Sequence, residues 1–289
     1  MKRILLIELK KSFRDLFFLA ALAIGTLICV IGAVQVIRVF YGDMGVMGQI
    51  RRLEESGIKK EFYAGAQTLY NSWIGANLFS LGTTLFFAVT PILAALPVGW
   101  RFSEEIHSGY LHIIAPKCGR LRYFSAKLIS SFAAGGAAVA LPQLFSVLLV
   151  ALFIPAIRPD ILYAQYFSVT HGSVLSAMYY THPLAAVAGA IGISFVFGGL
   201  FAWLSLAIAF LTPSRTATLV LPFLLLTAAG TSQSFLYYIA DFSIAPLDML
   251  HPFSSINLVT WPGICAWAGI LLAITAPVIL IKGCRREIA

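Results

Sequence analysis

The chain has 289 residues, of which 60% are apolar and only 11% charged, where an ordinary soluble domain carries roughly 25% charged residues. A soluble fold of this length has no interior large enough for so much apolar surface, so the composition excludes a soluble protein and indicates an all-α integral membrane protein. The net charge of +8 sits in short clusters beside apolar runs, as the cytoplasmic flanks of membrane helices do, which points to membrane lipid and away from nucleic acid.

Residues 1–15 mix apolar and basic side chains at helical spacing. The spacing predicts an interfacial amphipathic helix, with Ile4, Leu5, Ile7, Leu9 and Phe13 dipping into lipid while Lys2, Arg3, Lys10, Lys11 and Arg14 stay wet. Residues 16–289 read as a six-span transmembrane domain, with spans at about 16–37, 76–98, 128–153, 184–211, 217–238 and 261–281. A polar stretch separates spans one and two, and its centre, residues 51–62, is expected to form a short surface helix. Prolines within spans two, three, five and six are kink candidates. Gly135, Gly136, Gly189, Gly192, Gly198 and Gly199 are expected to let helices approach closely.

Orientation follows from Lys and Arg. With both termini cytoplasmic, the inner side holds five in the N-terminal segment, five after span two, one after span four and three at the end. Of the six left outside, five lie in or beside the first outer loop. That asymmetry places both ends in the cytoplasm.

Several kinds of chemistry are missing. No Asp, Glu, Lys or Arg falls in the middle third of any expected span, so coupling to protons or sodium through buried carboxylates is not expected. No G-x-x-x-x-G-K-[ST] phosphate cradle occurs, so the chain is expected not to be an enzyme and any ATPase must be a partner. His171, His182, His251, Asp241 and Asp248 all fall on the expected outer side, but their spacing matches no zinc pattern. The four cysteines have no metal-ligand spacing and form no disulfide framework.

The informative segment is residues 101–127, RFSEEIHSGYLHIIAPKCGRLRYFSAK. Glu104 and Glu105 follow an apolar span, then come Gly109, Tyr110, an apolar turn Leu111–Ile114, Pro116, Arg120, Tyr123 and Lys127. A short helix capped by Ser103, with acids in its first turn and Gly109 at its end, would suit docking in a partner's groove.

The ordered set Glu105, Gly109, Pro116, Arg120, Tyr123 and Lys127 resembles the corresponding loop of type-2 ATP-binding-cassette (ABC) exporter permeases of bacteria. The motif covers about 25 residues, and the six-span layout with an interfacial N-terminal helix extends the resemblance in architecture. The resemblance implies the transmembrane permease subunit of an ATP-driven exporter in a bacterial cytoplasmic membrane. Such a subunit pairs with a second permease chain, identical or sister, and sits on cytoplasmic ABC ATPase subunits that hold ATP and Mg; it binds no cofactor itself. Residues Glu104, Glu105, Gly109, Tyr110, Arg120, Tyr123 and Lys127 would belong to a coupling helix between spans two and three, with Glu104 and Glu105 meeting the ATPase. Asn77, Ser80, Thr83 and Thr84 are candidates for polar lining of a path for an amphipathic, peptide-like, lipid-like or drug-like cargo. Two alternatives are a stand-alone membrane enzyme or transporter using the outer His and Asp residues, and a non-transporting assembly subunit.

Overall fold

A computed structural model of the chain describes residues 2–57, 67–78, 80–111, 119–160, 169, 173–236, 243, 245–253 and 258–284. Among these residues the protein is all-helical. In chain order the helices are α1 (Lys2–Phe13), α2 (Leu16–Tyr41), α3 (Val46–Glu55), α4 (Leu69–Ser72), α5 (Leu81–His107), α6 (Arg120–Ala151), α7 (Ser176–Thr181), α8 (Pro183–Ala209), α9 (Arg215–Leu236) and α10 (Trp261–Cys284). A single 3-10 turn, Asp248–Leu250, precedes α10.

Among the described residues, five helical stretches are long and apolar enough to cross a membrane: the one that opens with α2, then α5, α6, α8 and α10. The fifth expected span coincides with α9, whose apolar run, Arg215–Thr231, is shorter. Helix α6 has 32 residues, about 48 Å at ~1.5 Å per residue, against a hydrocarbon core of ~30 Å. It is therefore longer than the apolar layer is thick.

Two expected boundaries are corrected. Span two was placed at 76–98, but α5 begins at Leu81, because Ser80 caps it by accepting from the Thr83 amide at 3.1 Å, and it runs without a break to His107. Pro91 and Pro97 lie within it. No separate helix starts at Ser103. That residue is fully buried inside α5, since Val98, Phe102 and Glu105 prolong the buried stripe of the span. The helix stops only at Ser108 and Gly109, whose φ of +71° is readily adopted by glycine alone. Span three was placed at 128–153, but α6 starts at Arg120. Arg120, Tyr123 and Lys127, expected in a loop, thus share one helical stripe at i, i+3 and i+7.

Small residues set the packing, as expected where lipid tails remove the hydrophobic drive between helices. The most extensive interfaces are α6 with α8 and α2 with α5. In the second, Gly82 lies backbone to backbone against Gly32, and a Cβ at Gly82 would collide with the Gly32 main chain. In the first, Gly135 faces Ala202 and the Gly198 carbonyl in the same way. Gly192, also expected to serve packing, has open space where its Cβ would be.

The stretch after α2 folds down onto the C-terminal end of α6. Tyr41 Oη donates to the Phe153 carbonyl at 2.9 Å, the Leu69 amide to that of Pro155 at 3.1 Å, and the Ile74 amide to Ser146 Oγ at 3.2 Å. Trp73 is fully buried beneath this cover.

Candidate functional site: an ion-paired junction of three helices

Helix α1 turns a charged face inward. Ile4, Leu5, Glu8, Lys11 and Ser12, with Asp15 just beyond the helix, fall on one side at 100° per residue, and Glu8 and Ser12 are buried. Arg3, Leu6, Ile7, Lys10 and Arg14 form the opposite, exposed side. Lys11 was expected to stay wet with the other basic residues; it is turned to the protein instead, because a carboxylate waits there. The exposed side retains the mixture of apolar and basic groups that suits a membrane surface.

That carboxylate is Glu105, near the end of α5. Its Oε2 lies 2.7 Å from Lys127 Nζ of α6 and accepts from Tyr123 Oη at 3.4 Å. Its Oε1 pairs with Lys11 of α1 and lies 3.8 Å from Arg101 Nε, one turn earlier on α5. Lys127 Nζ also reaches Glu8 Oε2 at 3.2 Å. Arg101 pairs with Asp15 at 3.0 Å and donates to the Lys11 carbonyl at 3.2 Å. Glu8, Asp15 and Glu105 against Lys11, Arg101 and Lys127 leave the cluster neutral. Glu105 and Lys127 are only 6% and 4% exposed, so each charge persists there because the other offsets its desolvation.

Aromatic faces complete the enclosure. Lys127 lies 5.4 Å above the Phe102 ring, and Lys11 lies 4.7 Å above that of Tyr110, both within cation–π range. Burial, and then the negative charge of Glu105, push the Tyr110 phenol above its ordinary pKa.

The seven residues singled out in this segment therefore divide. Glu105, Tyr123 and Lys127 converge in the buried cluster, and Glu105 faces inward, not toward a partner. Glu104 points the other way: its side chain is 54% exposed, 3.8 Å from Arg215 at the start of α9. Gly109 makes the turn, Tyr110 is exposed beside it, and Arg120 lies one turn before Tyr123 and is half-buried. Pro116 and Ile113–Ile114 lie outside the described residues.

Sequence reasoning missed Glu8, Lys11, Asp15 and Arg101 as members of the cluster. A signal was present. Glu8 and Asp15 are the two acids of an otherwise basic segment, seven residues apart and so on one helical face.

The polar candidates at the start of α5 serve the cap. Ser80 Oγ lies 2.7 Å from Thr83 Oγ1, Asn77 Oδ1 accepts from the Ser80 amide at 3.1 Å, and Thr84 Oγ1 donates to the Ser80 carbonyl at 3.4 Å. Ser80 and Thr83 are buried, while Thr84 faces outward.

The outer histidines do not assemble a centre among the described residues, where no group of three His, Cys, Asp or Glu side chains is poised to hold a metal. His171 and Asp241 lie outside those residues. His182 is exposed at the start of α8. Asp248 accepts from Ser243 Oγ at 2.6 Å. The His251 ring packs against that of Phe87, tilted by 50° with centroids 3.8 Å apart, and burial pushes its pKa down to about 4.

The chain matches no protein-family pattern, no characterised protein and no solved structure.

Proposed function

We propose that this protein is the membrane-spanning permease subunit of an ATP-driven exporter of the type-2 ABC class. In this reading six helices cross a bacterial cytoplasmic membrane with α9 as the fifth span, both termini are cytoplasmic, and two permease chains stand on two separate ATPase subunits. The observation that carries the reading is the ion-paired junction beside the Gly109 turn. The end of α5, the start of α6 and the whole of α1 are joined there by charges that have little water to fall back on. A displacement applied to the α5–α6 turn is passed to three helices together, not absorbed by one.

The division of the two acids fits such a device. Glu105 locks the turn to the bundle, and Glu104 remains exposed for a basic or polar group of a partner. The sequence has no ionisable group in the middle of the expected spans and no phosphate cradle, which supports a reading in which the energy comes from that partner. The apolar helix faces favour an amphipathic, lipid-like, peptide-like or drug-like cargo.

Gentle extraction of the tagged chain from its native membrane, followed by mass spectrometry of what comes with it, tests the reading. The expected result is a P-loop ATPase in stoichiometric amount. A chain recovered without any ATPase would overturn it.

A further inference from the structure

On the face formed by α6, α8 and α10 lies an open apolar groove of about 610 Å³, lined among others by Ile129, Phe132, Trp203, Gly269 and Leu272. Its walls are fixed. Trp203 Nε1 donates to the Leu128 carbonyl at 2.9 Å, tying α8 to α6, and the Phe132 ring packs against those of Trp203 and Phe195. Ile129 and Leu272 are 46% and 52% exposed, so the groove opens outward from the helix bundle.

Charge is arranged about this groove with one sign and at one end. Helices α6, α8 and α10 contain no Asp or Glu, and their basic residues are Arg120, Arg122, Lys127 and Lys282. All four lie at the same end, since Gly283 abuts the Phe124 ring. Lys127 is engaged by Glu8 and Glu105. Arg122 and Lys282 are exposed; the contact seen for the Lys282 ammonium is with the Phe210 carbonyl at 3.4 Å. Arg122, Ile129 and Ala133 follow one another at i, i+7 and i+11, so the arginine stands on the stripe of α6 that lines the groove. From Arg122 to Ala133, and from Lys282 to Leu272, the helices cover about 15–17 Å at ~1.5 Å per residue. That is the hydrocarbon depth of one leaflet, half of ~30 Å.

We infer that the groove is a binding site for one anionic phospholipid, its phosphate held by Arg122 and Lys282 and the distal part of an acyl chain lying between Ile129, Trp203 and Gly269. The depth matches a chain that starts at the headgroup level, and the exposed Arg122 and Lys282 match an anionic head. The inference does not depend on an ATPase partner.

Gly269 offers a test that leaves packing alone, because nothing lies within 4 Å of where its Cβ would be; Gly269→Phe fills the groove. The probes are phosphatidylglycerol and phosphatidylcholine, read by native mass spectrometry and by thermal protection of the detergent-solubilised protein, with soluble glycerophosphoglycerol as the head without chains. The wild type is expected to retain and be protected by phosphatidylglycerol, Gly269→Phe to lose the bound lipid, and Arg122→Gln/Lys282→Gln to weaken the preference for the anionic lipid roughly 25-fold. Equal retention by Gly269→Phe would overturn the site. So would equal protection by phosphatidylcholine, or full protection by the soluble head, which would indicate an ion site only. A Gly269→Phe variant that turns a dimer into a monomer would assign the groove to a second copy of the chain and overturn the lipid as well.

Discussion

At the scale of single residues, the buried charges of the three-helix junction are the most consequential feature. Removing one partner of a buried pair typically costs ~3–5 kcal/mol, because the other charge is left without compensation. Glu105→Gln leaves Lys11 without its carboxylate and Lys127 with Glu8 alone, so the unfolding free energy should fall by up to about that amount, read in detergent as a lower Tm, and Lys127→Met should also lower Tm. The Glu105→Gln/Lys127→Met double variant should be more stable than the sum of the singles implies, which a double-mutant cycle on Tm would reveal. Simple additivity would mean that the pair is not coupled. His251 provides a second test, through pH. Its folded pKa of about 4 lies below its ordinary 6.5, so the unfolded chain binds the extra proton between those values. The contribution of His251 is therefore complete above about pH 6.5 and is lost as the pH falls toward 4. His251→Phe keeps an aromatic ring against Phe87 and should flatten the Tm–pH curve over that window; an unchanged curve would remove His251 as its cause.

At the scale of elements, glycine positions separate packing from mere composition. Gly82→Val would drive a side chain into the Gly32 backbone, and overpacking of this kind costs typically ~1–3 kcal/mol. Gly192→Ala meets nothing within 4 Å and gains helix propensity of up to ~1 kcal/mol, so it should leave Tm unchanged or raise it. Tm measurements on the two variants in one detergent decide the matter, and a loss in Gly192→Ala equal to that in Gly82→Val would contradict the packing described. Both glycines sit in glycine-containing apolar runs, and the sequence alone does not tell them apart. What distinguishes Gly82 is the Gly32 backbone, brought to it from about 50 residues away. The same limit applies to α5. Composition located the apolar stretch, but its far end was read at Val98 because Arg101, Glu104 and Glu105 look like solvated positions. They do not end the helix, because Arg101 and Glu105 have partners on α1 and α6 that absorb their charge.

At the scale of the whole molecule, the all-helical, membrane-spanning character was legible from composition alone, since so few charged residues in so long a chain leave no soluble solution. The residues 101–127 were legible as the place to look, but their arrangement was not: Glu105 reads from the sequence as facing a partner, and its convergence with Tyr123 and Lys127 shows only once α5 and α6 are packed together. The role of α1 was not. Its basic side chains pointed to lipid, and only the fold shows that Glu8, Lys11 and Asp15 face the other way, into the junction. Ion pairs thus tie α1, the end of α5 and the start of α6 into one unit, with Glu104 left exposed beside it. The most direct test of that claim is the ATP turnover of the purified complex in lipid nanodiscs, compared between the wild type, Glu104→Ala and Glu105→Gln. The account predicts a co-purifying ATPase whose turnover falls several-fold in Glu104→Ala while the permease keeps its Tm, and falls in Glu105→Gln together with Tm. Turnover indifferent to Glu104, in a complex that is otherwise intact, would contradict it.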